Sequence, residues 1–389
     1  MNDTTQKQYM RPVLDHVRNN PGAEIIRYGR NKPNVLSLGS GESDLPTPDF
    51  IADAVAQALK DGYTNYGPIL GRMDLREALS AYYQDVYGLT IAPERNIITI
   101  SGSAAMHLAL RSIVERGDDV IAVTPIWKNL LGSVKLRQAG TIEVPLKFDG
   151  DKWQLNPDDI YAAVTPKTKA VLINSPNNPT GWVMPRNQME EVMTWARERG
   201  IWIISDEVYS RLVYGADRAP SFLDVAREDD RLMTVNSFSK NWAMTGWRLG
   251  WLVVPPEAVD KIYNIILYEN MGAPNFLQFG AKAAIEHGED FIQDFKQRCA
   301  DNLDTVMQTF EASPKIETYR PESTFYSFFS VKGEPDCMAL AKRLIDEQSL
   351  CLGPGCSFGS ETQGYLRLCF AVNKARLDDA MDRLQKVLG

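Results

Sequence analysis

Short apolar runs recur along the first two thirds of the chain, and none alternates with polar positions. Ile97-Ile98-Thr99-Ile100, Val120 to Val123, Ala170-Val171-Leu172-Ile173, Ile201-Trp202-Ile203-Ile204, Leu232 to Val235 and Leu249 to Val254 read as strands. Apolar runs of this kind belong to strands buried on both faces. Helical patterns lie between them. A Ser101-Gly102-Ser103 turn leads into a helix through Arg111, and a second helix runs from Arg186 to Arg199 with Gly200 as its stop. Strands alternating with helices predict an α/β fold, a mostly parallel sheet sandwiched by helices.

The last third changes character. Pro255 to about Thr309 reads as mainly helical. A strand follows over Thr324 to Val331, then a helix over Met338 to Glu347, a strand over Tyr365 to Phe370, and a last helix from Lys374 to Leu388. This predicts a smaller α+β domain. The first 45 residues carry one strand, Val35-Leu36-Ser37-Leu38, expected to pack with the C-terminal part. The predicted division is a large domain over 46–288 and a small domain of 1–45 plus 289–389.

Composition narrows the function classes. A chain of 389 residues is long enough for two domains. Hydrophobic residues at 44% and charged residues at 24% exclude disorder and a fibre. The net charge of −8 disfavours a nucleic-acid surface. No apolar run is long enough for a membrane span, so no membrane partner is expected. The stretch Met1 to Gln8 lacks the charged-then-apolar pattern of a signal peptide, which makes the cytoplasm the expected compartment. Five cysteines, at 299, 337, 351, 356 and 369, form no CxxC pair and have no histidine cluster beside them. They read as buried free thiols, with no metal. Three histidines, His16, His107 and His287, are too few for a mechanism built on several.

Four strings carry the candidate chemistry. Ser101-Gly102-Ser103-Ala104-Ala105 stands between a strand and a helix, where backbone N–H groups and the helix N-terminus can face an anion. Asn174-Ser175-Pro176-Asn177-Asn178-Pro179-Thr180-Gly181 is a rigid loop that presents the Asn178 amide, although by itself it reads equally as a loop of Asx turns. Ser205-Asp206-Glu207-Val208-Tyr209 lies at the carboxyl end of a strand, where ligands bind in open parallel sheets. A helix N-cap is the plainer reading of Asp206. The fourth string, Ser237 to Gly250, holds Lys240, two serines and Arg248. A desolvated lysine near other cations becomes a nucleophilic amine suited to Schiff bases, and Ser237, Ser239 and Arg248 are donors for a phosphate.

Together, in this order and spacing, the strings resemble the pyridoxal 5′-phosphate (PLP) aminotransferases of class I and II, fold type I. The likeness runs from Leu38-Gly39-Ser40-Gly41-Glu42 to Tyr365-Leu366-Arg367. It implies a ping-pong transfer of an amino group between an L-amino acid and a 2-oxo acid, with the large domain binding PLP. It further implies roles for single residues. Lys240 would form the Schiff base and move protons, and Asp206 would keep the pyridine nitrogen protonated. Tyr209 and Asn178 would hydrogen-bond the phenolic oxygen, and Trp127 would stack on the ring. The backbone of Ser103 and Ala104, with Ser237, Ser239 and Arg248, would hold the phosphate. Tyr66 would reach it from a neighbouring subunit, which implies a homodimer with shared active sites. Arg367 would bind the substrate α-carboxylate beside the Gly41 backbone and Asn178. A structural salt bridge is the plainer reading of Arg367.

Two other readings compete. A lyase, decarboxylase or synthase on the same scaffold shares these motifs. A PLP-binding regulator needs a DNA-binding module, and about 35 residues precede the first motif. The substrate side chain is less legible. Asn270 to Phe279 contains no Lys or Arg, and the candidate pocket residues Tyr63, Phe325 and Tyr326 are aromatic. This tilts the expectation toward neutral or aromatic amino acids.

Overall fold

A computed structural model describes residues 10–17 and 20–388. Seven strands build the central sheet: β1 (Asn96–Thr99), β2 (Asp119–Thr124), β3 (Gly140–Pro145), β4 (Thr168–Asn174), β5 (Trp202–Asp206), β6 (Leu232–Ser237) and β7 (Gly250–Val253). Their order across the sheet is β1-β7-β6-β5-β4-β2-β3. β7 alone runs antiparallel to its neighbours. Six of the seven were legible as apolar runs. β3 was not, because it is an edge strand; its sequence Gly-Thr-Ile-Glu-Val-Pro is only partly buried, so it needs no continuous apolar run. Ile100 falls outside β1 and is exposed.

Successive strand residues feed opposite cores, as a pleated strand requires. In β2, Val120 and Ala122 join a cluster with Ala105, Leu108 and Ala109 of helix Gly102–Ile113. Ile121 and Val123 face the other side, with Met189, Val192 and Met193 of helix Arg186–Arg199. That two-sided burial is why the strands read as unbroken apolar runs.

A third cluster unites the end of the chain with its beginning. Four antiparallel strands, in the order Ile316–Glu317, Tyr326–Val331, Tyr365–Cys369 and Gly353–Pro354, pack with helices Cys337–Gln348 and Lys374–Leu388. Helix Glu289–Glu311 adds Phe295, Leu303 and Phe310 to this core. Leu36–Ser37 pairs in parallel with Leu350–Cys351, as expected of the N-terminal strand. The helix over Pro21–Arg30, capped by Asn20, was missed despite its asparagine cap and N-terminal proline. Among the described residues, no helix is long and apolar enough to cross a membrane.

One close approach fixes the sheet against the first candidate loop. A Cβ at Gly250 would lie 2.6 Å from Gly102 N and 2.7 Å from Asn236 O. Both contacts are backbone, so nothing flexible can yield. Gly250→Ala should therefore destabilise the fold by roughly 1–3 kcal/mol. An unchanged denaturant midpoint would contradict this packing.

Candidate active site

Five loops leave the carboxyl ends of parallel strands and converge on one cavity of about 510 Å³. Ser103 follows β1, Trp127 follows β2, Asn178 follows β4, and Asp206 and Tyr209 end and follow β5. Ser237, Ser239 and Lys240 end and follow β6, and Arg248 precedes β7. The small-domain side contributes Tyr326 and Arg367 from neighbouring strands, and Gly41 comes from the loop after Leu36–Ser37.

Local capping explains how the loops hold shape. Ser101 caps helix Gly102–Ile113 by accepting from Ala104 N–H at 2.9 Å. Ser237 caps the short helix that carries Lys240, accepting from Ser239 N–H at 3.1 Å. Arg248 sits at φ 57°, a left-handed conformation rare for a side-chain-bearing residue. Its Nη1 donates to Thr245 O at 2.6 Å.

Lys240 Nζ donates to Gly41 O at 2.6 Å. Burial pushes its ammonium down to about 8, and the Arg367 and Arg248 charges act in the same direction. Asp206 is buried, and desolvation raises its carboxyl to about 7. The Val208 N–H and the nearby Lys240 partly oppose that rise. Its neighbour Glu207 is spent elsewhere, accepting from Ser205 Oγ at 2.8 Å and Phe222 N–H at 3.0 Å.

Arg367 is 6% exposed. One nitrogen donates to Asn178 Oδ1 at 2.9 Å and another to Gly39 O at 2.7 Å. Its guanidinium lies over the Tyr326 ring, 4.3 Å from the centroid, with Phe358 at 5.0 Å. Among the described residues no carboxylate forms an ion pair with it, and Nε has no partner. The salt-bridge alternative thus finds no partner here. Because Asn178 Oδ1 is taken by Arg367, its Nδ2 turns to Tyr209 Oη at 3.5 Å. Tyr209 Oη meets Tyr326 Oη at 2.8 Å. A Cβ at Gly41 would stand 2.6 Å from the Tyr326 hydroxyl, so this close backbone needs glycine.

The chain fits a known family along nearly all its length. The family model for aminotransferase class I and II matches residues 33–384. The chain belongs to the class I and II aminotransferases. It is 32% identical over 362 residues to a probable aspartate/prephenate aminotransferase of Aquifex aeolicus, covering 91% of each chain. It is 31% identical to aromatic-amino-acid aminotransferase 2 of Thermococcus litoralis, covering 91% of this chain and 92% of that one. A single mutant of the Thermus thermophilus aspartate aminotransferase superimposes with a TM-score of 0.91 at 28% identity, covering 98% of this chain and all of that one.

Of the thirteen residues nominated from sequence, this aminotransferase brings eleven to the cavity: Gly41, Ser103, Trp127, Asn178, Asp206, Tyr209, Ser237, Ser239, Lys240, Arg248 and Arg367. Ala104 does not line it, and its N–H is engaged by Ser101. Tyr66 lies on the surface, 80% exposed. Of the three aromatic pocket candidates, only Tyr326 lines the cavity. Phe325 is in the core, and Tyr63 packs on Phe279 instead. Sequence reading missed Ser357, Phe358 and the start of helix Pro21–Arg30 in the cavity wall. The asparagine-proline helix start was the one available signal; nothing local marks the other two.

The lowered lysine has a measurable consequence. Without an aldehyde present, acylation of Lys240 should rise through pH of about 8, and a midpoint at the ordinary 10.5 would contradict its desolvation. The same shift makes unfolding take up a proton between these values. This group's contribution to stability therefore falls as pH drops from 10.5 toward 8 and is level below that.

Proposed function

We propose that the cavity holds pyridoxal 5′-phosphate and that the chain uses it to move an amino group between an L-amino acid and a 2-oxo acid. The observation that carries this reading is a pair. Arg367, a buried cation with no carboxylate partner among the described residues, faces the same cavity as the desolvated amine of Lys240. A buried unpaired charge is costly, so the site asks for an anion beside an amine.

The residues fit the cofactor's parts. Ser103 lies at the start of helix Gly102–Ile113, Ser237 stands beside Gly102, and with Ser239 and Arg248 they line the cavity as a donor set for phosphate. The Ala104 amide belongs to this set only if Ser101 releases it. Asp206 offers a carboxylate for the ring nitrogen; burial raises its pKa, and a facing cation would bring it back down. Tyr209 and Asn178 supply donors for the phenolic oxygen, and Trp127 a stacking face. PLP, when bound, supplies an electron sink for the bond broken at the substrate Cα. Arg367, with Asn178 and the Gly41 backbone, orients the α-carboxylate. Lys240 takes and returns the Cα proton at Nζ. Two bodies, 46–288 and 1–45 plus 289–389, would enclose the substrate between them.

Lys240→Ala tests the central assignment. After borohydride reduction and unfolding, the wild-type chain should carry the cofactor's added mass and the variant should not. Transamination should fall by at least about a thousandfold. Retained turnover with the mass still attached would assign the chemistry to another amine.

The site is completed by a second copy in this reading. Tyr66, Tyr268 and Met271 are exposed apolar side chains on this subunit, and a homodimer would cover them while bringing Tyr66 to the partner's phosphate. Mixing Tyr66→Phe with Lys240→Ala subunits should create one native site per hybrid dimer and restore tight PLP binding there. An active monomer in sedimentation, or no recovery in verified hybrids, would overturn the shared site.

A further inference from the structure

The five cysteines are free, and Cys356 alone of them is not buried. It meets one of the other four. Cys337 opens helix Cys337–Gln348, and Cys356 lies in the turn Gly355–Ser357 that follows strand Gly353–Pro354. Cys356 N–H donates to Cys337 Sγ at 3.4 Å. The Cys356 thiol donates to the same sulfur, and so does Gly355 N–H. Three donors on one sulfur favour its thiolate. The Cys356 thiol foremost therefore holds Cys337 below its ordinary value, against burial and the Asp336 charge. As the donor, Cys356 is pushed up; burial acts the same way, and the Lys128 charge opposes it.

The turn with Cys356 begins a segment that reaches across to the central sheet. Phe358 O accepts from Ile126 N–H at 2.7 Å, in the loop after β2. Ser360 donates to Glu143 Oε2 of edge strand β3, from its N–H at 3.0 Å and its Oγ at 3.1 Å. Thr362 Oγ1 donates back to Gly355 O at 2.7 Å, and Cys337 N–H donates to Gln363 O at 2.8 Å. Segment 355–363 is thus held to the start of helix Cys337–Gln348 at both ends and to the sheet in its middle. Phe358, in that middle, lines the cavity with its ring 5.0 Å from the Arg367 guanidinium. All these ties are hydrogen bonds, and the Ser360 pair is exposed to water, which competes for it. The sheet side can let go while the Cys337 side holds.

We infer that Cys337 and Cys356 are a reversible dithiol–disulfide pair, and that its oxidation pins segment 355–363 with Phe358 against Arg367. The oxidant is a small-molecule disulfide such as glutathione disulfide. Cys356, the less buried sulfur, loses its proton and attacks one sulfur of the oxidant. That S–S bond breaks, and one small thiolate leaves and takes up the proton. The Cys337 thiolate then attacks the Cys356 sulfur of the mixed disulfide, and the second small thiolate leaves with the proton that Cys337 gave up. Two protein thiols are oxidised to one disulfide, and one small disulfide is reduced to two thiols. Two sulfurs already joined by a hydrogen bond need only small side-chain movements to bond. The donors around Cys337 suit it to the second attack.

Thiol counting tests the pair directly. PLP-loaded enzyme treated with glutathione disulfide and then unfolded should show two fewer titratable thiols than the five of the reduced chain. An unreduced digest should yield one crosslinked peptide that joins 337 to 356, lighter by two hydrogens. On oxidation kcat/KM for an amino acid should fall about tenfold, because Phe358 can no longer yield beside Arg367. Dithiothreitol should restore the thiols and the rate. Cys356→Ser should keep the activity of the reduced enzyme and lose the response. Absence of the 337–356 peptide at excess oxidant, a bridge among Cys299, Cys351 and Cys369 in its place, or an equal loss of activity in treated Cys356→Ser would overturn the pair. A 337–356 bridge that leaves kcat/KM unmoved would overturn the pinning. The thiol count and the peptide do not depend on the reaction proposed for the cavity. A bridge formed in a chain that transaminates no amino acid would therefore support the pair and count against that function alone.

Discussion

Arg367 carries a full charge into a strand whose other members, Leu366, Leu368 and Cys369, are buried. Taking a guanidinium out of water costs several kcal/mol, and the fold offsets it without a carboxylate. Asn178 Oδ1, the Gly39 carbonyl and the Tyr326 ring face do this work. Much of the surrounding structure follows from that arrangement. The loop after Leu36–Ser37 must come close, so Leu36–Ser37 is tied to Leu350–Cys351. Gly41 must lack a side chain because the Tyr326 hydroxyl occupies the space. The Asn178 amide must turn its nitrogen toward Tyr209 because its oxygen is taken.

Burial acts on the two titrating groups of the cavity in opposite senses. It lowers Lys240 and raises Asp206, since each loses stabilisation of its charged form. Both are thereby moved toward neutrality: this is the form an amine nucleophile needs, whereas Asp206 would need a facing cation to return it to the charged form that a charge-balancing carboxylate requires. Glu42 and Asp206 both act electrostatically on Lys240 within this cavity.

Much of this was legible in the chain because the relevant signals are local. Strands covered on both faces must be apolar at every position, so six of seven central strands stood out. Helix Arg186–Arg199 ended at Gly200 as expected, since a left-handed C-cap selects glycine within one turn. The four chemical strings follow strands whose ends share one side of a parallel sheet, and topology then brings them together. Edge strand β3 and helix Pro21–Arg30 were less visible, because partial exposure relaxes the demand for apolar residues.

The sequence alone determined the sheet class, the helices that flank it and the segments that carry Lys240, Asp206, Asn178 and Arg367. Only the tertiary structure decided between neighbours that local pattern cannot separate. Asp206 rather than Glu207 faces the cavity, because Ser205 and the Phe222 N–H engage Glu207 on the other side of the strand end. Arg367 has no carboxylate partner among the described residues, a fact set by residues far away in the chain. Ser357 meets Gly22 although 335 positions separate them. Such contacts depend on how separate layers pack, and the chemical identity of a residue does not specify which distant surface it will meet.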